Sequence, residues 1–187
     1  GVASDPKRTF DGLFGVFNDS LPDGWGLLLL DRLLRRSGLP LERITPLSRL
    51  SRAGSGGRGA LEYEPVTPDP DPLPERIDLD GVAEEAWRTL NEDPLPVETL
   101  RTLMALNGSS CGARPKIMVR VSGDRRLIVP DAVAEPGCDP WLIKFPARHD
   151  DPAIGRMEYA CSLAAKRAGI EMPETALFPG RDGAAYF

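Results

Sequence analysis

Apolar residues recur at helical spacing through much of the first hundred residues of the chain. The leucine-rich stretch 27–36 predicts a buried helix, which Ser20 or Asp23 could cap and which ends before Gly38. The aromatic stretch 10–17 is punctuated by glycine and predicts a strand and a turn. These two stretches together predict a short extended segment followed by one buried helix.

A proline-rich segment separates this region from two more predicted helices. Five prolines fall in 65–74, and because proline disrupts helix interiors and strand ladders, we expect an extended linker there. Helices are predicted at 79–90, with Asp80 as N-cap, and at 96–106, with a proline in the first turn. The positions expected to face inward are Val82, Ala86 and Leu90 in the first of these helices and Leu100, Leu103, Met104 and Leu106 in the second.

Beyond residue 115 the apolar pattern changes to the alternation and short runs that are typical of strands. A turn is predicted at 123–124, and Gly169 is expected to end the only helix of this part. The strands are predicted at 116–121, 126–129, 141–145, 174–178 and 184–187, and the helix at 152–168 with Asp150 or Asp151 as its cap. The predicted fold class is α+β, with an N-terminal subdomain at 1–76 and, at 77–187, a helical connector followed by a small lobe of antiparallel sheet with one helix.

Composition and charge narrow the class of protein. The chain has 187 residues, 41% of them hydrophobic, which is enough for one large domain or two small ones with a real core. Its net charge of −5 argues against a general nucleic-acid-binding surface. Three scattered cysteines and the lone His149 indicate a cytoplasmic, reducing environment and argue against a zinc site. No apolar run reaches the roughly 18 residues that a membrane span requires.

Two glycine clusters are candidates for binding phosphate, and the sequences that follow them show which candidate is the better one. Residues 54–59 fit the pattern G-x-G-x-x-G letter for letter, but a dinucleotide site also needs a helix directly after the loop. The residues that follow, 60–65, alternate like a strand and end at proline. This cluster is therefore predicted to be a connector, and a dinucleotide-binding enzyme is the disfavoured alternative.

The second cluster, 107–116, leads directly into a predicted strand. Its small residues can expose backbone N–H groups to a phosphate. Lys144 lies inside an otherwise apolar strand, where a buried ammonium is costly unless it is paired, and Glu158 in the following helix is its natural partner. The alternative from spacing alone is that Lys144 extends into solvent from an edge strand and that Glu158 is exposed.

Four further stretches carry a family resemblance, and they are LPDGWGLLLLDRLL at 21–34, SSCGARPK at 109–116, WLIKFP at 141–146 and EYACSLAAKRAGIEMPET at 158–175. In this order they resemble the HipA-like serine/threonine kinase toxin family of bacterial toxin–antitoxin systems. The glycine-rich loop of that family has the pattern S-x-x-G-x-x-x-K, which Ser109, Gly112 and Lys116 match. The predicted order of strands and helix is also that of a protein-kinase small lobe, with the helix in the place of the kinase αC helix.

The resemblance implies that the second cluster binds ATP, and it assigns roles to individual residues. The loop would hold the phosphates, Lys144 would contact them and Glu158 would orient Lys144. Ser109 would be the residue that is autophosphorylated. The implied ATP-binding residues are Gly108, Ser109, Ser110, Cys111, Gly112, Ala113, Lys116, Lys144 and Glu158.

The resemblance also implies parts that are not recognised in these residues. Kinases of this family continue into a large lobe with a catalytic aspartate and the ligands for Mg²⁺, so the chain alone is expected to be inactive. For the whole protein, the resemblance implies phosphorylation of an aminoacyl-tRNA synthetase, notably the glutamyl enzyme. It also implies a helix-turn-helix antitoxin partner, through which contact with DNA would be indirect. The alternative is a non-catalytic binding module that docks an antitoxin or a regulatory partner.

Overall fold

The computed structural model of the protein describes residues 9–53, 61–64, 73–108 and 112–187. The helices are α1 (Gly15–Asn18), α2 (Gly24–Arg36), α3 (Pro46–Ala53), α4 (Leu79–Leu90), α5 (Val97–Asn107) and α6 (Ile154–Arg167). The strands are β1 (Lys116–Ser122), β2 (Ile128–Pro130), β3 (Cys138–Lys144), β4 (Phe178–Pro179) and β5 (Ala185–Tyr186). Short 3₁₀ helices span Thr9–Gly12, Leu41–Arg43 and Arg181–Gly183. This mixture of helices with antiparallel strands is an α+β fold, as predicted.

The chain divides into two compact units, each built from two separate stretches. The first unit consists of Gly1–Leu73 with Pro96–Ala113, and the second of Pro74–Leu95 with Arg114–Phe187. Helix α5 therefore belongs to the first unit, although it follows the proline-rich segment in sequence. The predicted division at residue 76 stays a prediction about folding domains.

Helices α2 and α5 supply most of the buried side chains of the first unit, and they pack against each other. The buried hydrophobic residues are Trp25, Leu29, Leu30, Leu33 and Leu34 in α2 and Leu100, Leu103 and Leu106 in α5. The predicted stop of α2 is confirmed, since Gly38 adopts a φ of +85° and its N–H donates to the Arg35 carbonyl. Of the positions predicted to be inward in α5, only Met104 is half-buried.

The strand predicted at 10–17 is wrong. The segment forms a 3₁₀ helix and then α1, because its backbone closes on itself: the N–H groups of Phe17 and Asn18 both donate to the Phe14 carbonyl. The aromatic spacing suggested a strand, but local hydrogen bonds satisfied the backbone without a partner strand. The strand-like alternation at 60–65 is not a strand at 61–64, where the chain is irregular, and the glycine cluster 54–59 lies outside the described residues.

A three-stranded antiparallel sheet forms the centre of the second unit. The strand order is β2-β1-β3, and Ile117 and Val119 of β1 lie opposite Ile143 and Trp141 of β3. The central β1 is buried along most of its length, and each of its edges is hydrogen-bonded to a neighbouring strand. Strands β4 and β5 form a separate two-stranded sheet. The predicted succession of three strands, one helix and two strands is confirmed, with β3 starting earlier and β4 shorter than predicted.

Two predicted helix caps are wrong in detail. The N-cap of α4 is Asp78, whose carboxylate accepts the N–H of Asp80, so Asp80 lies inside the first turn. Helix α6 begins at Ile154 with Ala153 as its N-cap, and the Asp151 carboxylate accepts the Ala153 N–H just outside the helix. Sequence spacing alone does not distinguish neighbouring aspartates, because the choice depends on which one reaches a free N–H group.

The inward positions of α4 are mostly as predicted. Val82 and Ala86 are buried, whereas Leu90 is only half-buried and Thr89 takes the adjacent buried position. The Thr89 hydroxyl donates to the Glu85 carbonyl one turn earlier, so its burial leaves no polar group unsatisfied. Among the described residues, none of the helices is both long and apolar enough to cross a membrane.

Candidate functional site

Lys144 and Glu158 form the ion pair that the sequence predicts. Lys144 is the last residue of β3, and Glu158 lies just past the first turn of α6. The Lys144 Nζ is 2.7 Å from Glu158 Oε2, and the two side chains are 35% and 22% exposed. The alternative, in which the two side chains extend separately into solvent, is therefore wrong. An ammonium held in this way keeps a fixed position while part of it stays open to an anionic ligand.

Sequence analysis missed two further members of this cluster, Arg114 and Asp150. Arg114 Nη1 donates to the second carboxylate oxygen of Glu158 at 2.7 Å, and its Nε lies 3.0 Å from Asp150. Asp150 is fixed in turn by the N–H of Ala147 at 2.8 Å. Arg114, Lys144, Asp150 and Glu158 together form what we call the site network. The network contains two cations and two carboxylates. Within it, Arg114 and Lys144 bind different carboxylate oxygens of Glu158.

One sequence signal could have pointed to Arg114. It is the only charged residue between Asn107 and Pro115, in a loop otherwise made of small residues. Asp150 has the sequence signature of a helix cap, but its carboxylate binds a side chain 36 positions away in sequence. Contacts across such a separation depend on how β1 and α6 pack, and a local pattern does not encode that.

The site network shifts the pKa values of two of its members. The Ala147 N–H and the Arg114 guanidinium hold the pKa of Asp150 below its ordinary value, against the opposing effect of burial. The hydrogen bond to Asp150, with the neighbouring Glu158 charge, raises the pKa of Arg114. Both groups therefore stay charged throughout the physiological range, so the ion pair between Arg114 and Asp150 persists there.

Lys116, the second lysine of the predicted site, begins β1. It lies directly opposite Lys144 in the β1–β3 register, and it is only 5% exposed. Residues opposite each other in an antiparallel pair share one face of the sheet, so the two lysines are close neighbours. The structure therefore places Lys116 beside Lys144 in the second unit, and its predicted role in binding ATP stays a prediction.

The glycine-rich loop is described at its two ends. Gly108 follows α5 with a φ of +57°, and Gly112 has a φ of +115°, conformations that favour glycine. Ala113, next to Gly112, is exposed. Ser109, Ser110 and Cys111 lie outside the described residues, so the predicted roles of these three, autophosphorylation of Ser109 included, stay predictions.

A second polar cluster of the second unit, which we call the helix clamp, consists of Asp78, Asp80, Arg181 and Tyr186. The Tyr186 hydroxyl donates to Asp80 at 2.6 Å, and the backbone N–H of Arg181 donates to the same carboxylate at 3.0 Å. The Arg181 guanidinium bridges Asp80 and Asp78, each at 3.2 Å. The Tyr186 hydrogen bond and Arg181 lower the pKa of Asp80, while burial and the Asp80 charge raise the pKa of Tyr186.

Two family models match the chain, and they match different parts of it. Residues 2–64 match the HipA N-terminal domain, and residues 108–187 match the HipA-like C-terminal domain. The two matches follow each other in sequence and together take in most of the chain. The chain belongs to the HipA-like family. Neither a search of curated proteins nor a search of solved structures gave a match.

The site network and α2 of this HipA-like chain lie in different matched domains. The C-terminal match contains the whole site network and begins at Gly108, the first residue of the glycine-rich loop. The N-terminal match contains α2 and the LPDGWG stretch at 21–26 that precedes and opens it. The family is associated with serine/threonine kinase toxins, so a phosphate-binding role is the natural one to test for the site network.

The described residues contain no group of three or more His, Cys, Asp or Glu side chains placed to hold a metal ion. Asp150 and Glu158 are both engaged by cations, which neutralises the carboxylates that a metal would need. The site network therefore suits an anion better than a cation, and no step through Mg²⁺ follows from these residues.

Proposed function

We propose that this HipA-like chain binds ATP as the nucleotide-facing part of a serine/threonine protein kinase. The observation that supports this most is the 2.7 Å ion pair between Lys144 on β3 and Glu158 on α6. A lysine fixed by a helix glutamate is the arrangement with which protein kinases neutralise ATP phosphates. Here the lysine is half-buried on a rigid strand, so little conformational entropy would be lost when it contacts a phosphate.

The proposed chemistry of these residues is positioning and charge neutralisation. Lys144 would donate to phosphate oxygens while Glu158 keeps its orientation, and N–H groups of the glycine-rich loop would donate to the same phosphates. Mg²⁺, when bound, would supply further neutralisation of the phosphates. No general base for a substrate hydroxyl was recognised in the sequence, so we expect no phosphoryl transfer by these 187 residues alone.

We further propose that Ser109 is a site of autophosphorylation that switches nucleotide binding off. A phosphate on Ser109 would add a charge of about −1.5 to −2 to the loop and would compete with ATP for the same N–H groups. The Ser109→Asp variant should bind ATP more weakly than the wild type, with Ser109→Ala as the uncharged control. Equal ATP affinity of the two variants would contradict this part of the proposal.

The targets and partners proposed for the whole protein follow from the family alone. They are an aminoacyl-tRNA synthetase as substrate and a helix-turn-helix antitoxin as partner, which would place the protein in the cytoplasm. No residue described above recognises either one. Incubation of the protein with purified synthetases and ATP, followed by mass spectrometry for phosphorylated synthetase, would test the substrate.

Thermal unfolding with different ligands tests the central proposal. We expect ATP to raise the unfolding midpoint of the protein, and NAD to leave it unchanged. A shift with NAD instead of ATP would favour the dinucleotide alternative based on 54–59. If neither nucleotide causes a shift and isothermal titration also detects no binding, the proposal is wrong and the non-catalytic binding module is the better description.

A transfer assay tests the proposed limit on activity. The protein is incubated with ATP, Mg²⁺ and a generic protein substrate, and phosphate incorporation is measured. We expect incorporation at the background level of a heat-denatured sample. Phosphate transfer above that background would show that the residues needed for chemistry are present within the 187.

A further inference from the structure

The stretch 21–26 has no role in the proposed site, yet it contacts the glycine-rich loop within the first unit. The Asp23 carboxylate accepts the backbone N–H of Gly112 at 2.9 Å. In return, the N–H of Trp25 donates to the Gly112 carbonyl at 3.1 Å. Gly112 is therefore bound at both its N–H and its carbonyl by two residues at the start of α2.

Gly24, between these two residues, lets the loop approach this closely. It has a φ of +45°, and a Cβ built there would lie 2.6 Å from the Gly112 carbonyl oxygen and 2.7 Å from Ala113 Cα. Both neighbours are backbone atoms and cannot move aside as a flexible side chain could. Any other residue at this position would have to displace either α2 or the loop.

The other end of the loop is held at the same helix. Asn107 is fully buried, and its side-chain amide donates to the Gly108 carbonyl at 2.8 Å. The same amide nitrogen lies 2.8 Å from where a Cβ on Gly26 would be. Gly26 thus leaves space for the side chain that fixes the first residue of the loop.

The chemistry of Asp23 supports a role toward the loop. Asp23 occupies the N-cap position of α2, where an aspartate usually accepts an N–H of its own helix, but here it makes no such bond. Its carboxylate instead binds Gly112, 89 positions away in sequence. The helix forgoes its usual cap, so this contact is not explained by the needs of α2 alone.

We infer that Asp23 and Gly24, with Gly26 acting through Asn107, are positioning residues that hold both ends of the glycine-rich loop at the start of α2. The inference rests on the proposed function, because the loop is held for a nucleotide. Holding Gly108 and Gly112 in place reduces the conformational freedom that these two loop ends would otherwise lose when phosphate binds, which lowers the entropic cost of binding. The HipA N-terminal domain would then contribute to nucleotide affinity without touching the nucleotide.

Hydrogen–deuterium exchange of the loop in Asp23→Ala, without nucleotide, tests this inference directly. Loss of a charge-assisted hydrogen bond should raise exchange at 112–113 by roughly five- to tenfold and weaken ATP binding by a similar factor. Asp23→Asn keeps an acceptor oxygen and should recover most of the protection. Asp31→Ala is the matched control, since it removes the Asp31–Arg49 ion pair from the same helix and should leave the loop unchanged.

Each outcome separates the inference from the proposed function. Unchanged loop exchange in folded Asp23→Ala overturns the inference, even if ATP binds. Faster loop exchange in a protein that does not bind ATP in any form supports the positioning of the loop and overturns the proposed function. Equal loop exchange in Asp23→Ala and Asp31→Ala also overturns the inference, because it would show general loosening of α2. Circular dichroism of every variant establishes that it is folded.

Discussion

The two polar clusters of the second unit are built from similar parts and differ in one charge. In each cluster an arginine bridges two carboxylates: Arg114 in the site network and Arg181 in the helix clamp. The site network has Lys144 as a second cation, whereas the helix clamp has the neutral hydroxyl of Tyr186. The site network is therefore electrically balanced, and the clamp carries a net negative charge.

This difference indicates which cluster can bind a ligand and which one holds the fold together. Asp80 of the clamp lies in the first turn of α4, where a negative charge is favourable, and its oxygens bind groups from the Arg181–Tyr186 region. The clamp thus ties the last residues of the chain to α4. In the site network, by contrast, the Lys144 ammonium is still 35% exposed and can donate to an additional acceptor.

The largest effect is expected from Gly155→Ala, which would disturb both clusters. A Cβ on Gly155 of α6 would collide with the Ala185 carbonyl of β5, so the helix carrying Glu158 would have to move away from the strand carrying Tyr186. We expect a loss of about 2–3 kcal/mol in the free energy of unfolding, measured by urea denaturation. Gly123→Ala is the control, because a Cβ there meets nothing within 4 Å, and it should change stability by less than about 0.5 kcal/mol.

The next effect separates the functions of the two clusters. Lys144→Met should weaken ATP binding by roughly tenfold or more, since a charged hydrogen bond to phosphate is lost. Arg181→Met changes the same charge in the clamp and should leave ATP affinity unaltered. Isothermal titration of both variants measures this, and an equal loss of affinity in the two would contradict the assignment.

A smaller effect is expected from Tyr186→Phe, which keeps the ring and removes the hydroxyl. The ring still packs against Phe145, at a centroid distance of 5.0 Å, but the 2.6 Å bond to Asp80 is gone. Stability should fall by about 1 kcal/mol, with ATP affinity unchanged. Urea denaturation and titration on the same sample check both halves, and unaltered stability would show that the clamp is not needed to hold this region.

The smallest effects are in the pH dependence of stability. Asp150 and Asp80 have lowered pKa values in the fold, so their contribution is present above the unfolded pKa of about 4 and is lost as the pH falls through the folded values. Tyr186 has a raised pKa, so its contribution is lost as the pH rises above about 10 toward the folded value. Denaturation midpoints between pH 3 and pH 11, chosen to span roughly these two values, should show a weaker alkaline loss in Tyr186→Phe and a weaker acid loss in Asp150→Asn. Parallel curves for wild type and variants would contradict these assignments.

Much of the fold could be predicted from local patterns, and the failures have a common cause. Buried helices such as α2 and α5 show a clear apolar period, and the prediction of each was confirmed. The strand prediction at 10–17 failed because a short aromatic segment is compatible with either a strand or a helix. The available hydrogen-bond partners decide between the two, and here they are local. The cap of α4 failed because two aspartates stand near its start and only the packed helix shows which of them reaches an N–H group.

The residues of the candidate site also divide into those that local patterns predict and those that only the packed structure reveals. The Lys144–Glu158 pair could be predicted because an isolated lysine in a strand requires a partner and the next helix offers one. Arg114 and Asp150 could not, since each is an ordinary charged residue in a loop until β1 and α6 come together. Asp23 has the sequence signature of a helix cap, and only the folded first unit shows that its carboxylate binds Gly112.

By itself, the sequence determined the α+β class, the order of strands and helix in the second unit, the family and the pairing of Lys144 with Glu158. These follow from apolar period, turn residues, motif spacing and the cost of an unpaired buried charge, all of which act over short distances along the chain. Only the tertiary structure decided that Arg114 and Lys144 both bind Glu158, and that Asp78 caps α4 while Asp80 binds Arg181 and Tyr186. It also decided that the start of α2 binds the glycine-rich loop. Those choices depend on which groups meet across large sequence separations, and packing fixes that geometry.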